Sequence, residues 1–237
     1  MSLKIFIFSW LAILNLFGNN STENNLQINF QPVVNNISLQ LNSKAYSINS
    51  KDSFFITTFK MYVGKIVLND EESKEKFVDE NYHLLNAENV ESLKIDLKNL
   101  SLKKISSVDF FVGVDSIENT KGSMGGDLDP TNGMYWTWNS GYINFKLEGH
   151  SPICKSIHHA FEFHIGGYQH PNNSIRKIYL RLKNPIIISE ENKLNININL
   201  AEILNSVDLR TNNNIVEPGF EAMKLADNFS KMFSIAE

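Results

Sequence analysis

Apolar and polar residues alternate with period two through most of this chain. Leu26, Ile28 and Phe30 alternate with Gln27 and Asn29, and from Leu194 to Leu200 every second residue is asparagine. Successive side chains on a strand point to opposite faces, so these segments are expected as half-buried strands, asparagine outward and Leu194, Ile196, Ile198 and Leu200 in the core. Further strands are expected over Phe54–Phe59, Tyr62–Leu68, Leu93–Leu97, Ser107–Val114, Tyr142–Leu147, Phe161–Ile165, Ile175–Leu182 and Ile186–Ile188. Short strands separated by Asn, Gly, Ser and Pro clusters predict an all-β fold, a two-sheet antiparallel β-sandwich with a short C-terminal helix. That helix is read from Ala222, Leu225, Ala226, Phe229, Met232 and Phe233, which recur at spacings of three and four behind Pro218 and Gly219. A shorter helical piece is expected over Glu71–Val78, its charges on a solvated face.

The N-terminus departs from this pattern. Lys4 precedes an uncharged, largely apolar run from Ile5 to Phe17, and Gly18, Asn19 and Asn20 then open a polar stretch. The run falls short of the roughly 20 residues that cross a bilayer, so it predicts a signal peptide over residues 1–20 and no stable membrane span. The remaining residues 21–237 are expected as one sandwich domain in the periplasm or outside the cell. A composition of 42% hydrophobic residues supplies its core. The formal net charge of -4, without long runs of one sign, offers no footprint for a phosphate backbone and argues against nucleic acid. Cys154 is the only cysteine, so no intramolecular disulfide forms, and the residue is expected as a small buried hydrophobe.

Candidate chemistry lies between Gly122 and His170. The segment GSMGGDLDPTNGMYWTWNSGYINFKLEG concentrates Tyr135, Trp136, Trp138 and Tyr142 among glycines, more aromatic surface than one strand face can bury. Extended, it would carry Trp136 and Trp138 on one face and Tyr135 on the other. His150, His158, His159, His164 and His170 follow closely, leaving His83 alone, and a neutral imidazole nitrogen is the commonest metal ligand. In FEFHIGG, alternation turns Phe161, Phe163 and Ile165 to one face and Glu162 and His164 to the other, and Gly166 and Gly167 allow a sharp turn or a close approach. Asp127 and Asp129 lack the spacing of a calcium loop and are expected to stabilise a turn. Nucleophile-elbow, Walker and dinucleotide motifs are missing, so the chain is not expected to be an enzyme.

The blocks FFVGVDS at Phe110–Ser116, GDLDPTNGMYWTWNSGYINFKLEG at Gly126–Gly149 and FEFHIGGY at Phe161–Tyr168 resemble those of the MbnP-like copper-binding proteins, in particular Bacteroidetes-type members. FKMYVGKIVL at Phe59–Leu68 and KLADNFSKMFSI at Lys224–Ile235 extend the resemblance along nearly the whole mature chain. It implies an exported protein that captures or carries copper, with His164 as a ligand and Trp136 or Trp138 as a ligand or a modified neighbour. The modification it implies is conversion of tryptophan to kynurenine by a partner di-haem cytochrome of the peroxidase type. An early-strand histidine found in several relatives has no counterpart at Tyr62, Val63 or Gly64, so a second imidazole would come from His150, His158 or His170. The competing expectation is a metal-free sandwich that uses its aromatic block to bind a protein or glycan.

Overall fold

A computed structural model describes residues 24–48, 52–122, 124–139 and 141–236. The expected signal peptide lies outside the described residues. Ten principal strands follow in chain order: β1 (Asn25–Val34), β2 (Asp52–Asn69), β3 (Lys76–Asn86), β4 (Lys94–Leu97), β5 (Lys104–Val112), β6 (Gly141–His150), β7 (Ala160–Gly166), β8 (Arg176–Ile187), β9 (Glu191–Asn199) and β10 (Phe233–Ile235).

Two packed sheets result. The smaller runs β10–β9–β1, with β4 and the short strand Ile37–Ser38 also pairing β1. The larger runs β8–β5–β2–β6–β7, ending on Asn214–Ile215, and β3 also pairs β2. Residues Lys60 and Met61 of β2 pair with both β3 and β6, and residues from Val63 onward pair with both β3 and β5. A strand has only two edges, so β6 and β5 share the edge opposite β3, β6 up to Met61 and β5 from Val63 onward. This long, bent strand carries the candidate site.

The alternating segments fold as their spacing requires. In β9, Leu194, Ile196 and Ile198 are buried while Asn195 is exposed and Asn197 and Asn199 are half-buried. Phe161, Phe163 and Ile165 of β7 are fully buried, in one core with Phe59, Met61, Phe145, Leu147 and Phe229. Cys154 is a free, buried thiol in that core.

The sheets are mixed where purely antiparallel pairing was expected. β1 pairs β9 in parallel, Ile28 opposite Leu194, and β7 pairs Asn214–Ile215 in parallel. Tight turns oblige antiparallel neighbours, whereas β1 and β9 are joined through the whole larger sheet and are free of that constraint. The expected helix at Glu71–Val78 is instead a hairpin turn running into β3. Lys74 adopts φ 64 and its N–H bonds the Asp70 carbonyl at 2.8 Å, while Asp70 Oδ1 accepts the Glu72 N–H at 3.0 Å. Side chains that compete for local backbone groups favour such a turn over a helix.

The C-terminal apolar face is correct, but the helix is divided. Helices span Phe220–Ala226 and Phe229–Met232, and the chain then enters β10 against Ile196–Ile198. The break falls at Asp227 and Asn228, where Asn228 Nδ2 turns back to the Lys224 carbonyl at 3.2 Å. Among the described residues no helix is long and apolar enough to cross a membrane.

Gly149 marks the tightest crossing of the core. A Cβ there would lie 2.0 Å from the Phe55 carbonyl oxygen and 2.4 Å from the Phe161 ring, whereas one at Gly125 would meet nothing within 4 Å. Gly149→Ala is therefore expected to cost at least about 2 kcal/mol. Gly125→Ala should stay within about 0.5 kcal/mol. Urea unfolding midpoints compare the two, and an unchanged midpoint for Gly149→Ala would contradict the packing described.

Candidate functional site

Above the outer face of the larger sheet lies a second apolar cluster, made by Tyr62, Leu84, Val114, Leu128, Met134, Trp136, Tyr142 and Ile143. Its cover is the glycine-bounded ribbon at 124–139. The ribbon forms two short turns, Gly126–Leu128 and Pro130–Asn132, then a two-residue strand, Tyr135–Trp136, that pairs with the start of β6. Extended alternation therefore stops at Trp136, and residues 137–139 form a turn.

Side chains from the sheet fasten this cover by its backbone. Tyr62 Oη donates to the Asp127 carbonyl and Tyr142 Oη to the Leu128 carbonyl, each at 3.0 Å. Lys60 and Lys146 Nζ donate to the carbonyls of Asn132 and Gly133, each at 3.3 Å. Burial, reinforced by neighbouring negative groups, pushes the Tyr62 hydroxyl well above its ordinary pKa, and burial is also the main cause of the rise at Tyr142. Both hydroxyls therefore remain donors at neutral pH. Asp129 serves the turn as expected, its Oδ1 accepting the Thr131 N–H at 2.8 Å, whereas Asp127 Oδ2 reaches out of the turn to accept the Leu84 N–H of β3 at 2.9 Å.

Trp136 is buried against β7. A Cβ at Gly166 would lie 2.5 Å from Trp136 Cζ3 and 2.5 Å from the Tyr142 carbonyl oxygen, so only glycine lets the indole reach the strand here. Trp138 is 65% exposed, with its ring centroid 5.8 Å from that of Trp136. The two indoles are neighbours, tilted by 48° to one another, at different depths.

His164 points outward from β7, opposite Lys146 of β6. It lies two positions before Gly166, about 7 Å along the strand and on the same face as Trp136. Its Nε2 is 2.7 Å from Glu148 Oε1. The His164 hydrogen bond, opposed by burial and helped by Lys146 and Thr58, holds the Glu148 carboxyl at about 2.

His150 is not brought to this place. It pairs with Ala160, four residues before His164 on β7, a separation of about 14 Å. Its Nδ1 instead lies 3.1 Å from the His158 carbonyl oxygen. His83 sits on β3, 2.7 Å from Asp79 Oδ2. His158 and His159 adopt left-handed φ of 61 and 55 in the loop before β7, and His159 Nδ1 bonds the Cys154 carbonyl oxygen at 2.9 Å. Among the described residues, no three His, Cys, Asp or Glu side chains form a group that could hold a metal ion.

Glu148 and Lys146 escaped the reading of the sequence, although KLEG lies at the end of the aromatic block. Alternation turns both outward, but only the β6–β7 register places them beside His164.

A sandwich with an aromatic ribbon fastened over its larger sheet, on the face that carries an outward histidine, is the class of structure defined here. The chain matches the MbnP family over residues 23–218 and belongs to it. Among solved structures, MbnP from Methylosinus trichosporium is similar in fold, with a TM-score of 0.54 at 12% identity over 79% of this chain and 80% of that one. Comparison with curated proteins finds no match.

Because the folded Glu148 carboxyl titrates near 2 instead of 4.5, its pairing adds stability above about pH 4.5 and loses it as pH falls towards 2. At pH 7, Glu148→Gln is expected to cost about 1 kcal/mol after allowance for solvent screening. The gap in Tm between variant and wild type should close across that acid window, and a gap that widens there would contradict the pairing. Gly166→Ala is expected to cost about 1–3 kcal/mol. It should also raise acrylamide quenching of Trp136 in a Trp138→Phe background, whereas unchanged quenching would contradict the contact.

Proposed function

We propose that this protein captures or carries copper outside the cytoplasm, with copper as its cargo and no catalysis of its own. One observation carries the reading: His164 and Gly166 are successive outward places on one strand, and the Trp136 ring rests against Gly166. Family membership and the MbnP-like blocks support it, and the apolar run Ile5–Phe17 supports export.

The donor chemistry assigns different parts to the two rings. Imidazole suits copper, and a ligating histidine commonly leans on a carboxylate through its other nitrogen, as His164 leans on Glu148. An indole offers only an N–H donor, so Trp136 would contribute after ring opening to kynurenine, which exposes an amine and a carbonyl. Trp136 is the candidate for that change because its ring touches the strand bearing His164. Trp138 lies outside it, where the proposed di-haem cytochrome partner would meet the protein. His150 has no place in this ligand set. A metal-free module that binds a partner through the same ribbon is the second reading, favoured by the exposure of Trp138.

Protein matured in its native host is expected to hold about one copper per chain, lost in His164→Ala, with oxidation mapped by peptide mass to Trp136. Copper-free protein with unmodified tryptophans would contradict the copper reading and favour the binding module.

A further inference from the structure

His164 belongs to a network that reaches the ribbon. The Glu148 oxygen that lies 2.7 Å from His164 Nε2 also lies 3.3 Å from Lys146 Nζ. Lys146 in turn donates to the Gly133 carbonyl, three residues before Trp136. Thr58 of β2 lies opposite Glu148 and helps to lower its pKa. Strand register fixes this arrangement: Lys146 lies opposite both His164 and Lys60, and Glu148 lies opposite both Glu162 and Thr58. The carboxylate is thus held between His164 and Lys146.

An ionised carboxylate only accepts hydrogen bonds, so the proton in the 2.7 Å contact belongs to His164 Nε2. A neutral imidazole carries one N–H, and only the neutral ring binds a metal. We propose that Glu148 is the positioning residue of the site: it fixes His164 as the Nε2–H tautomer and leaves Nδ1 as the nitrogen offered to copper. Lys146 steadies Glu148 and ties it to the Trp136 ribbon, so the orientation of the histidine and the seating of the ribbon are set together. The role given to Nδ1 rests on the copper reading, while the position of the proton can be tested without metal. Partners of this kind also strengthen a histidine as a donor, and their loss typically costs about 10- to 100-fold in metal affinity.

The test is ring-nitrogen NMR of metal-free wild type, Glu148→Ala and Glu148→Gln at pH 8, paired with a copper competition titration on the same proteins. Glu148→Gln serves if Glu148→Ala does not fold, because an amide can either accept from or donate to the ring. Wild type is expected to carry hydrogen on Nε2 alone, both tautomers should appear in the variants, and copper affinity should fall by about 10- to 100-fold. A wild-type ring protonated on Nδ1, or an Nε2–H tautomer unchanged in both variants, overturns the proposal. Nε2–H in a wild type that binds no copper overturns the copper reading and the donor role of Nδ1, and leaves the Glu148–His164 pairing standing.

Discussion

An indole resting on a strand that lacks a side chain is the contact on which the rest of the site depends. Gly166 gives Trp136 room against β7, and any Cβ there would strike both the ring and the Tyr142 carbonyl. Because His164 lies on the same face two residues earlier, this close approach sets the indole on the strand face that also carries the imidazole, about 7 Å along the strand. The ribbon could not keep that position by apolar contact alone, since a segment so rich in backbone turns must satisfy its carbonyls. Tyr62, Tyr142, Lys60 and Lys146 satisfy four of them from the sheet below.

The sheet earns its rigidity from the opposite face. Phe161, Phe163 and Ile165 lock β7 into the shared core, so the outward direction of His164 follows from the inward direction of its neighbours. β6 and β5 succeed one another along one edge of β2, and the β6 pairing places Lys60 and Thr58 beside Lys146 and Glu148. Apolar packing within the sandwich and polar chemistry outside it are two consequences of the same alternation.

That alternation is also what made so much of the structure legible in the sequence. Although β3 and β10 were not expected as strands, most strand identities, the outward asparagines of β9, the buried Cys154 and the outward His164 follow from local spacing. Register does not, because it is fixed by long-range pairing. Glu148 was therefore missed and His150 was grouped with His164, although β6 and β7 hold them about 14 Å apart. Local hydrogen bonding defeated one other expectation and refined a second: Asp70 and Lys74 close a turn where a helix was expected, and the C-terminal helix forms but is divided at Asp227 and Asn228. Trp136 and Trp138 part company for the same reason, since the turn after Trp136 ends the extended geometry that would have put both rings on one face.

The central claim is that a copper ion held by His164 sits beside Trp136. Cupric titration of the unmodified mature chain carrying Trp138→Phe, followed by Trp136 emission, tests it most directly. Saturable quenching that ends at one equivalent and disappears when His164 is replaced by alanine is the result the account predicts. Weak quenching that rises linearly with copper, alike with and without His164, would contradict it.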